Sequence, residues 1–261
     1  MIKKAELLKI TFLGTGTSQG IPVIGSKHPV CLSKNPKDKR LRVSVLISWD
    51  NYNFVIDCGP DFRQQMLQNP IPNLDGILFT HEHSDHTAGI DDIRPFFFRQ
   101  GDIPIYADNQ VIQALKKRFA YIFADINRYP GAPAVAIHEI KENTPFKIGN
   151  KVAIPIKALH NRLEVFGFRI DDFVYLTDVK SISKEEIAKL KDVNVLVVNA
   201  LRLEAHHSHF NLEEALEFIA VVKPKKAYLT HISHLLGFHE EVEKSLPNNV
   251  HLAYDNLTIN I

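Results

Sequence analysis

The chain has 261 residues, between one and two times the ~150 that serve as a soft prior for a domain. Hydrophobic residues make up 45% and charged residues 23%, proportions of an ordinary globular protein that exclude collagen-like, disordered and disulfide-scaffold classes. Lys and Arg total 31 against 30 Asp and Glu, a formal charge of +1, so no global field draws the chain to nucleic acid or an anionic membrane.

Two cysteines, Cys31 and Cys58, cannot form a disulfide framework, and 13 histidines move attention to imidazole chemistry. Met1 to Phe12 mixes Lys3, Lys4, Glu6 and Lys9 among apolar residues, unlike a signal peptide. No apolar run approaches the ~20 residues of a membrane span. A cytoplasmic protein without a membrane partner is expected.

Strand-like and helix-like runs alternate without a linker or a repeat, which predicts a single domain over residues 1–261 of α/β class. Strands are expected at Leu8–Leu13, Val43–Ser48, Phe54–Asp57, Gly76–Thr80, Ile103–Ala107, Val152–Leu159, Val165–Ile170, Phe173–Thr177, Val193–Asn199, Ala227–Thr230 and Leu257–Ile261. Asp108 to Phe123 places Val111, Ile112, Leu115, Phe119 and Ile122 at helical spacing. A second helix begins at Asn211 with a capping-box Glu214, and Leu212, Ala215, Leu216 and Ile219 form its expected buried stripe. Lys34 to Arg42 reads as a solvated basic loop, and Pro95-Phe96-Phe97-Phe98 as an apolar run suited to core or interface.

The chemistry centres on His81-Glu82-His83-Ser84-Asp85-His86, directly after an apolar strand. In an extended loop His81 and His83 point the same way and can grip one cation, while Asp85 and His86, around the bend, face another. Accidental surface polarity is the competing reading. Three more predicted strands run into ligand-type residues, His160, Asp178 and His231, two of them through Leu-Thr. If these strands lie side by side with their ends together, seven groups meet at one rim, where open α/β sheets bind ligands. Singly, each could be a core or turn residue. Seven ligands exceed the four of one tetrahedral zinc and suit two metals bridged by an aspartate and a hydroxide, a cationic centre that attracts an anionic substrate.

With His160, Asp178 and His231, the segment Thr80 to His86 resembles the metallo-β-lactamase superfamily. Leu13 to Gly20, Ile56-Asp57-Cys58-Gly59, Leu229 to His234 and His209-Phe210-Asn211-Leu212 resemble its PhnP-type phosphoribosyl cyclic phosphodiesterases. The resemblance implies a four-layer αββα sandwich and metal-dependent hydrolysis of a small phosphodiester, a ribose cyclic phosphate, by a metal-bridging hydroxide. It implies that His81, His83 and His160 bind one divalent ion, Zn or Mn, that Asp85, His86 and His231 bind the second, and that Asp178 bridges. It makes His209, with Asp85, catalytic: a histidine that protonates the leaving alkoxide. His206 and His207 read as surface residues. Asp57 suits a carboxylate orienting a ligand histidine, or a plain turn; Gly14, Gly16 and Gly20 suit a tight loop beside the site and do not make a dinucleotide fingerprint.

No nucleic-acid partner is expected, and a homodimer accords with the family. The alternatives are a tRNase Z-like endoribonuclease, a thioesterase or lactonase, and a non-catalytic metal-binding module. The PhnP-type family also carries a structural zinc on three cysteines and a histidine. Here only Cys31 and His234 match, with Ser26 and His28 at cysteine positions, so weak or no metal is expected there.

Overall fold

A computed structural model describes residues 7–124, 126 and 128–261; the signal-peptide reading of residues 1–6 lies outside them. One sheet contains β1 (Lys9–Gly14), β2 (Ser44–Trp49), β3 (Tyr52–Ile56), β4 (Gly76–Leu78), β5 (Ile103–Ala107) and β6 (Val135–Glu139). The other contains β7 (Phe146–Ile148), β8 (Lys151–His160), β9 (Leu163–Ile170), β10 (Phe173–Tyr175), β11 (Val195–Asn199), β12 (Lys226–Thr230) and β13 (Val250–Leu252). The last strand, β14 (Thr258–Asn260), returns to pair with β1. The spatial orders are β14-β1-β2-β3-β4-β5-β6 and β13-β12-β11-β10-β9-β8-β7.

Both sheets follow one plan. An antiparallel meander, β1 to β3 or β7 to β10, gives way to four parallel strands, β3 to β6 or β10 to β13. No repeat in the amino-acid sequence announces this similarity. Alternation of side chains across each strand then builds the layers. In β2, Val45, Ile47 and Trp49 join Phe12, Phe54, Phe168, Tyr175 and Val197 between the sheets, while Leu46 faces the other way.

The described residues form eight helices, most of them on the outer faces: α1 (Pro29–Leu32), α2 (Phe62–Gln68), α3 (Ser84–Thr87), α4 (Arg94–Gln100), α5 (Asn109–Arg118), α6 (Lys184–Ala188), α7 (Leu212–Val222) and α8 (His239–Ser245). Phe62, Phe96, Val111 and Leu115 pack with Leu46, Val55 and Ile77 on the first sheet. Ala215, Phe218 and Ile219 pack with Leu196, Val198 and Leu229 on the second. The result is the αββα sandwich, each sheet buried on both faces. Among the described residues no helix is long and apolar enough to cross a membrane.

All the expected strands form, with ends displaced by a few residues. Asn211 caps α7 as expected: its side chain accepts from Glu214 N–H at 2.9 Å, and the Glu214 carboxylate accepts from Asn211 N–H at 2.9 Å. Several expectations are corrected. The helix from Asp108 stops at Arg118, and Phe119, Ile122 and Phe123 reach the core from turns. Leu212 and Leu216 are only partly buried, and Phe218 takes the inner position in α7. The basic loop is not wholly solvated, because Asp38 and Arg40 are buried. The Phe run splits: Phe96 is core and Phe98 is 64% exposed. The four ligand-bearing strands are not neighbours in one sheet. β8, β10 and β12 alternate with β9 and β11 in the second sheet, and β4 belongs to the first.

Candidate metal centre

The site forms where the C-terminal ends of β4, β8, β10 and β12 meet across the sandwich. The Thr80 carbonyl, just past β4, accepts from Phe166 N–H of β9 at 2.9 Å, joining the two sheets beside His81. His83 is the residue before α3, so the chain turns there and carries Asp85 and His86 back toward the cluster. Asp57, Asp178 and His231, past β3, β10 and β12, all adopt positive φ of 62°, 58° and 55°. Non-glycine residues seldom hold this conformation, and it marks functional strand ends in many folds.

The seven expected ligands come together. His86 Nε2 lies 3.3 Å from Asp85 Oδ2 and 3.2 Å from Asp178 Oδ2. His231 Nε2 lies 3.2 Å from Asp178 Oδ1 and 3.7 Å from Asp85 Oδ2. His81 Nε2 and His83 Nδ1 are 3.0 Å apart. The His160 ring centroid is 5.3 Å from that of His83 and 5.8 Å from that of His81. Three ligand-type triplets result: His81, His86 and Asp178; Asp85, His86 and His231; and His160, Asp178 and His209. His81, His86, Asp178 and His231 are buried, and His83 is exposed at the mouth.

Contacts behind the rim fix three imidazole tautomers. Asp57, fully buried, accepts from Thr80 N–H, from the Thr80 hydroxyl, both at 2.8 Å, and from His86 Nδ1 at 2.6 Å. The Thr80 oxygen, having donated its hydrogen, accepts from His81 Nδ1 at 3.0 Å. His160 Nδ1 donates to the Ser208 carbonyl at 2.7 Å. His81, His86 and His160 therefore turn Nε2, and not Nδ1, toward the site, the arrangement expected of metal-binding histidines. Asp57 is thus the orienting carboxylate and not a plain turn.

Electrostatics follow from the burial of mixed charge. Burial opposes both shifts, yet Asp85, Asp57 and Asp178 hold His86 well above its ordinary pKa, and His231 and His86 hold Asp178 well below its own. Burial pushes His81 well down and lowers His83, with His160 adding to the latter. His209 sits in the same cluster: Nε2 is 2.9 Å from Asp178 Oδ1, and burial, only partly offset by that carboxylate, pushes it down to about 4.

A divalent ion fits these residues. Ligand atoms around a tetrahedral ion with bonds of 2.0–2.1 Å stand about 3.3–3.4 Å apart, close to the 3.2 and 3.3 Å separations here. Buried His86 Nε2 and both His231 ring nitrogens have no hydrogen-bond partner, and the carboxylates that favour a proton on His86 favour a cation equally.

Three residues exceed their sequence reading. His206 Nδ1 lies 3.1 Å from His209 Nδ1, a contact that the H-x-x-H spacing could have signalled; His207 is exposed. Thr80 and Thr177 anchor carboxylates, Thr177 donating to Asp178 at 2.8 Å. Gly16 forms bridges to Arg42 and to Ile232, next to His231, so the glycine segment does border the site. At the second location, His28 and His234 meet with ring centroids 4.9 Å apart, and His28 Nδ1 accepts from Val30 N–H at 3.3 Å.

A family model described as the Beta-lactamase superfamily domain matches residues 52–232. A crystal structure of a new diphosphatase from the PhnP family superimposes with a TM-score of 0.91 at 36% identity, covering 98% of this chain and 97% of that one. A Porphyromonas gingivalis protein named octanoyltransferase is 38% identical over 252 residues, 96% of this chain and 51% of that protein. A Methanococcus maripaludis ribonuclease Z is 26% identical over 168 residues, 62% of this chain and 45% of that one. This chain thus spans about half the length of the curated relatives it matches. Fold, rim and family model agree: the chain belongs to the metallo-β-lactamase superfamily and is of the PhnP type.

Proposed function

We propose that this protein is a dinuclear metal-dependent phosphodiesterase acting on a small anionic substrate, with a ribose cyclic phosphate favoured. The observation that carries the reading is the position of Asp178, within 3.2 Å of His86 and His231 and 2.9 Å of His209. One carboxylate can thereby serve two cations and touch a further imidazole. In this reading His81, His83 and His160 hold one ion, Asp85, His86 and His231 the other, and Asp178 both. Zinc or manganese there would supply Lewis acidity and a water with its pKa lowered toward ~7; imidazole and carboxylate ligands suit either metal.

The chain's own groups do the rest. Asp57, Thr80 and the Ser208 carbonyl hold three imidazoles with Nε2 inward. Asp85 pairs with His86 and His231 from the more open side of the cluster. His209 protonates the departing alkoxide. Burial keeps it neutral before substrate arrives, and a phosphodiester anion beside it favours the protonated form. Geometry also offers His209 as a ligand, with His160 and Asp178; retention of both ions in His209→Ala separates the two roles.

The PhnP-family diphosphatase supports a second substrate class, a phosphoanhydride, whose phosphate leaving group needs less protonation than an alkoxide. Acyl transfer, the activity named for the Porphyromonas gingivalis protein, has no thiol to use here, since Cys31 and Cys58 are both buried. Tight tRNA binding is disfavoured by the balanced charge. The test is a hydrolysis panel on metal-reconstituted protein: cyclic phosphate, linear diester, diphosphate diester, thioester, lactone and tRNA precursor. The reading expects cyclic phosphate to turn over fastest. Faster turnover of the thioester, lactone or tRNA precursor overturns it.

A further inference from the structure

Arg40 is the one Lys or Arg fully buried among the described residues, and it touches none of the rim side chains. Burial pushes it down to about 10, so it is still charged at neutral pH. A charge held out of water is costly unless its hydrogen bonds are met. Its Nη1 donates to the Thr15 hydroxyl at 2.7 Å and to the Ala253 carbonyl at 2.5 Å, and Nη2 lies 3.1 Å from His239 Nδ1. The Thr15 hydroxyl donates onward to Asp255 Oδ1 at 2.7 Å, and Asp255 Oδ2 accepts from Leu41 N–H at 2.6 Å. Thr15 is therefore fixed by its side chain from two directions.

The backbone of Thr15 leads to the metal rim. Its carbonyl accepts from Ile232 N–H at 2.9 Å, and Thr17 N–H donates to the Ile232 carbonyl at 3.0 Å. Ile232 follows His231, which stands at φ 55°. His81, His86 and His160 are each oriented by a hydrogen bond at the far ring nitrogen. His231 has none at either nitrogen. Its aim is left to the backbone that carries it, and that backbone is braced by the Thr15 segment.

We propose that Arg40, acting through Thr15, is a positioning residue for His231, setting the strand-end brace that aims this imidazole into the site. The proposal rests on the reading of His231 as a ligand of one of two ions. Thr15→Val removes the hydroxyl and keeps the shape, Thr15→Ser keeps the hydroxyl, and Arg40→Met removes the charge. The metal-free proteins are titrated with Co(II), followed by calorimetry and visible absorption.

Wild type and Thr15→Ser are expected to bind two ions with the same pair of affinities and the same spectrum. Thr15→Val and Arg40→Met should weaken one ion by about tenfold or more, leave the other, and change the cobalt bands. If Arg40→Met does not fold, Thr15→Val decides. Folded variants that bind both ions as wild type does overturn the proposal. Equal weakening of both ions without rescue by Thr15→Ser also overturns it, since that is general loosening. A wild type that binds a single ion instead defeats the dinuclear reading itself, a result distinct from either.

Discussion

The rim and the His28–His234 pair both bring imidazoles together, yet their surroundings differ in ways that decide what each can hold. At the rim, Asp85 and Asp178 stand 3.2–3.7 Å from the ring nitrogens of His86 and His231, and Asp57, Thr80 and Ser208 set the tautomers from behind. In the loop pair, burial and the neighbouring His28 push His234 down, and His28 spends Nδ1 on Val30 N–H at the start of α1. Among the described residues, His28, Cys31 and His234 do not form a close three-ligand group. Imidazole number alone therefore does not make a metal centre; carboxylate charge and uncommitted lone pairs aimed at one point do.

The sharpest way to break this contrast is to remove the shared carboxylate. Asp178→Ala should bind fewer than two ions and hydrolyse at background, measured by elemental analysis and the substrate panel. Full retention of both ions would show that the carboxylate is not what sets the rim apart. His209→Ala should keep both ions while kcat falls by ~10²–10⁴ on an alkyl-leaving diester. A nitrophenyl diester should lose much less, because nitrophenolate leaves without protonation. Equal losses on the two substrates would remove His209 as the acid.

A histidine outside both clusters sharpens the comparison through pH. Burial first, then Arg40 and Lys37, push His239 down to about 4 against opposition from Glu243 and Asp38. Its pKa is depressed in the fold, so its stabilisation is present above ~6.5 and is lost as pH falls through 4. Between pH 7.5 and 4 the wild type should lose more stability than His239→Gln, read by urea unfolding. Asp255, raised to about 6 mainly by burial, works in the opposite sense, losing stabilisation as pH rises through 6. It is common to both proteins and cancels in the difference. Parallel pH curves would show that His239 takes up its proton at the same pH folded as unfolded, and so is not depressed by the fold.

The smallest effect is expected at the loop pair. A mild chelator that spares the rim should leave Tm unchanged, because a structural zinc contributes directly to folding free energy. A third ordered ion touching Cys31 and His234, or a clear fall in Tm, would place a metal there.

Much of the rim was legible because its chemistry is local in sequence. His81, His83, Asp85 and His86 lie within six residues, and the strands leading to His160, Asp178 and His231 are short runs of apolar, β-branched and aromatic residues. What the sequence concealed was short or exposed. β7 and β13 have three residues each, and α6 has five, too few for a periodic signal. β6 is an edge strand with exposed side chains. Arg40 was hidden for the opposite reason: it sits among lysines in a stretch whose composition reads as solvated, and only its distant partners Thr15, Ala253 and His239, with Asp255 behind Thr15, make it a core residue.

By itself, the sequence determined which side chains are able to bind a cation, where most strands and the Asn211-capped helix lie, and which superfamily the chain joins. These depend on residue type and short-range spacing, since strand period, capping and ligand chemistry act over a few residues. Only the tertiary structure decided that β4 approaches the rim from the opposite sheet to β8, β10 and β12, that Asp178 touches three histidines at once, and that Arg40 is buried behind His231. Those facts depend on packing two twice-buried sheets face to face. Each contact joins residues tens to hundreds of positions apart, and no local pattern encodes such pairings.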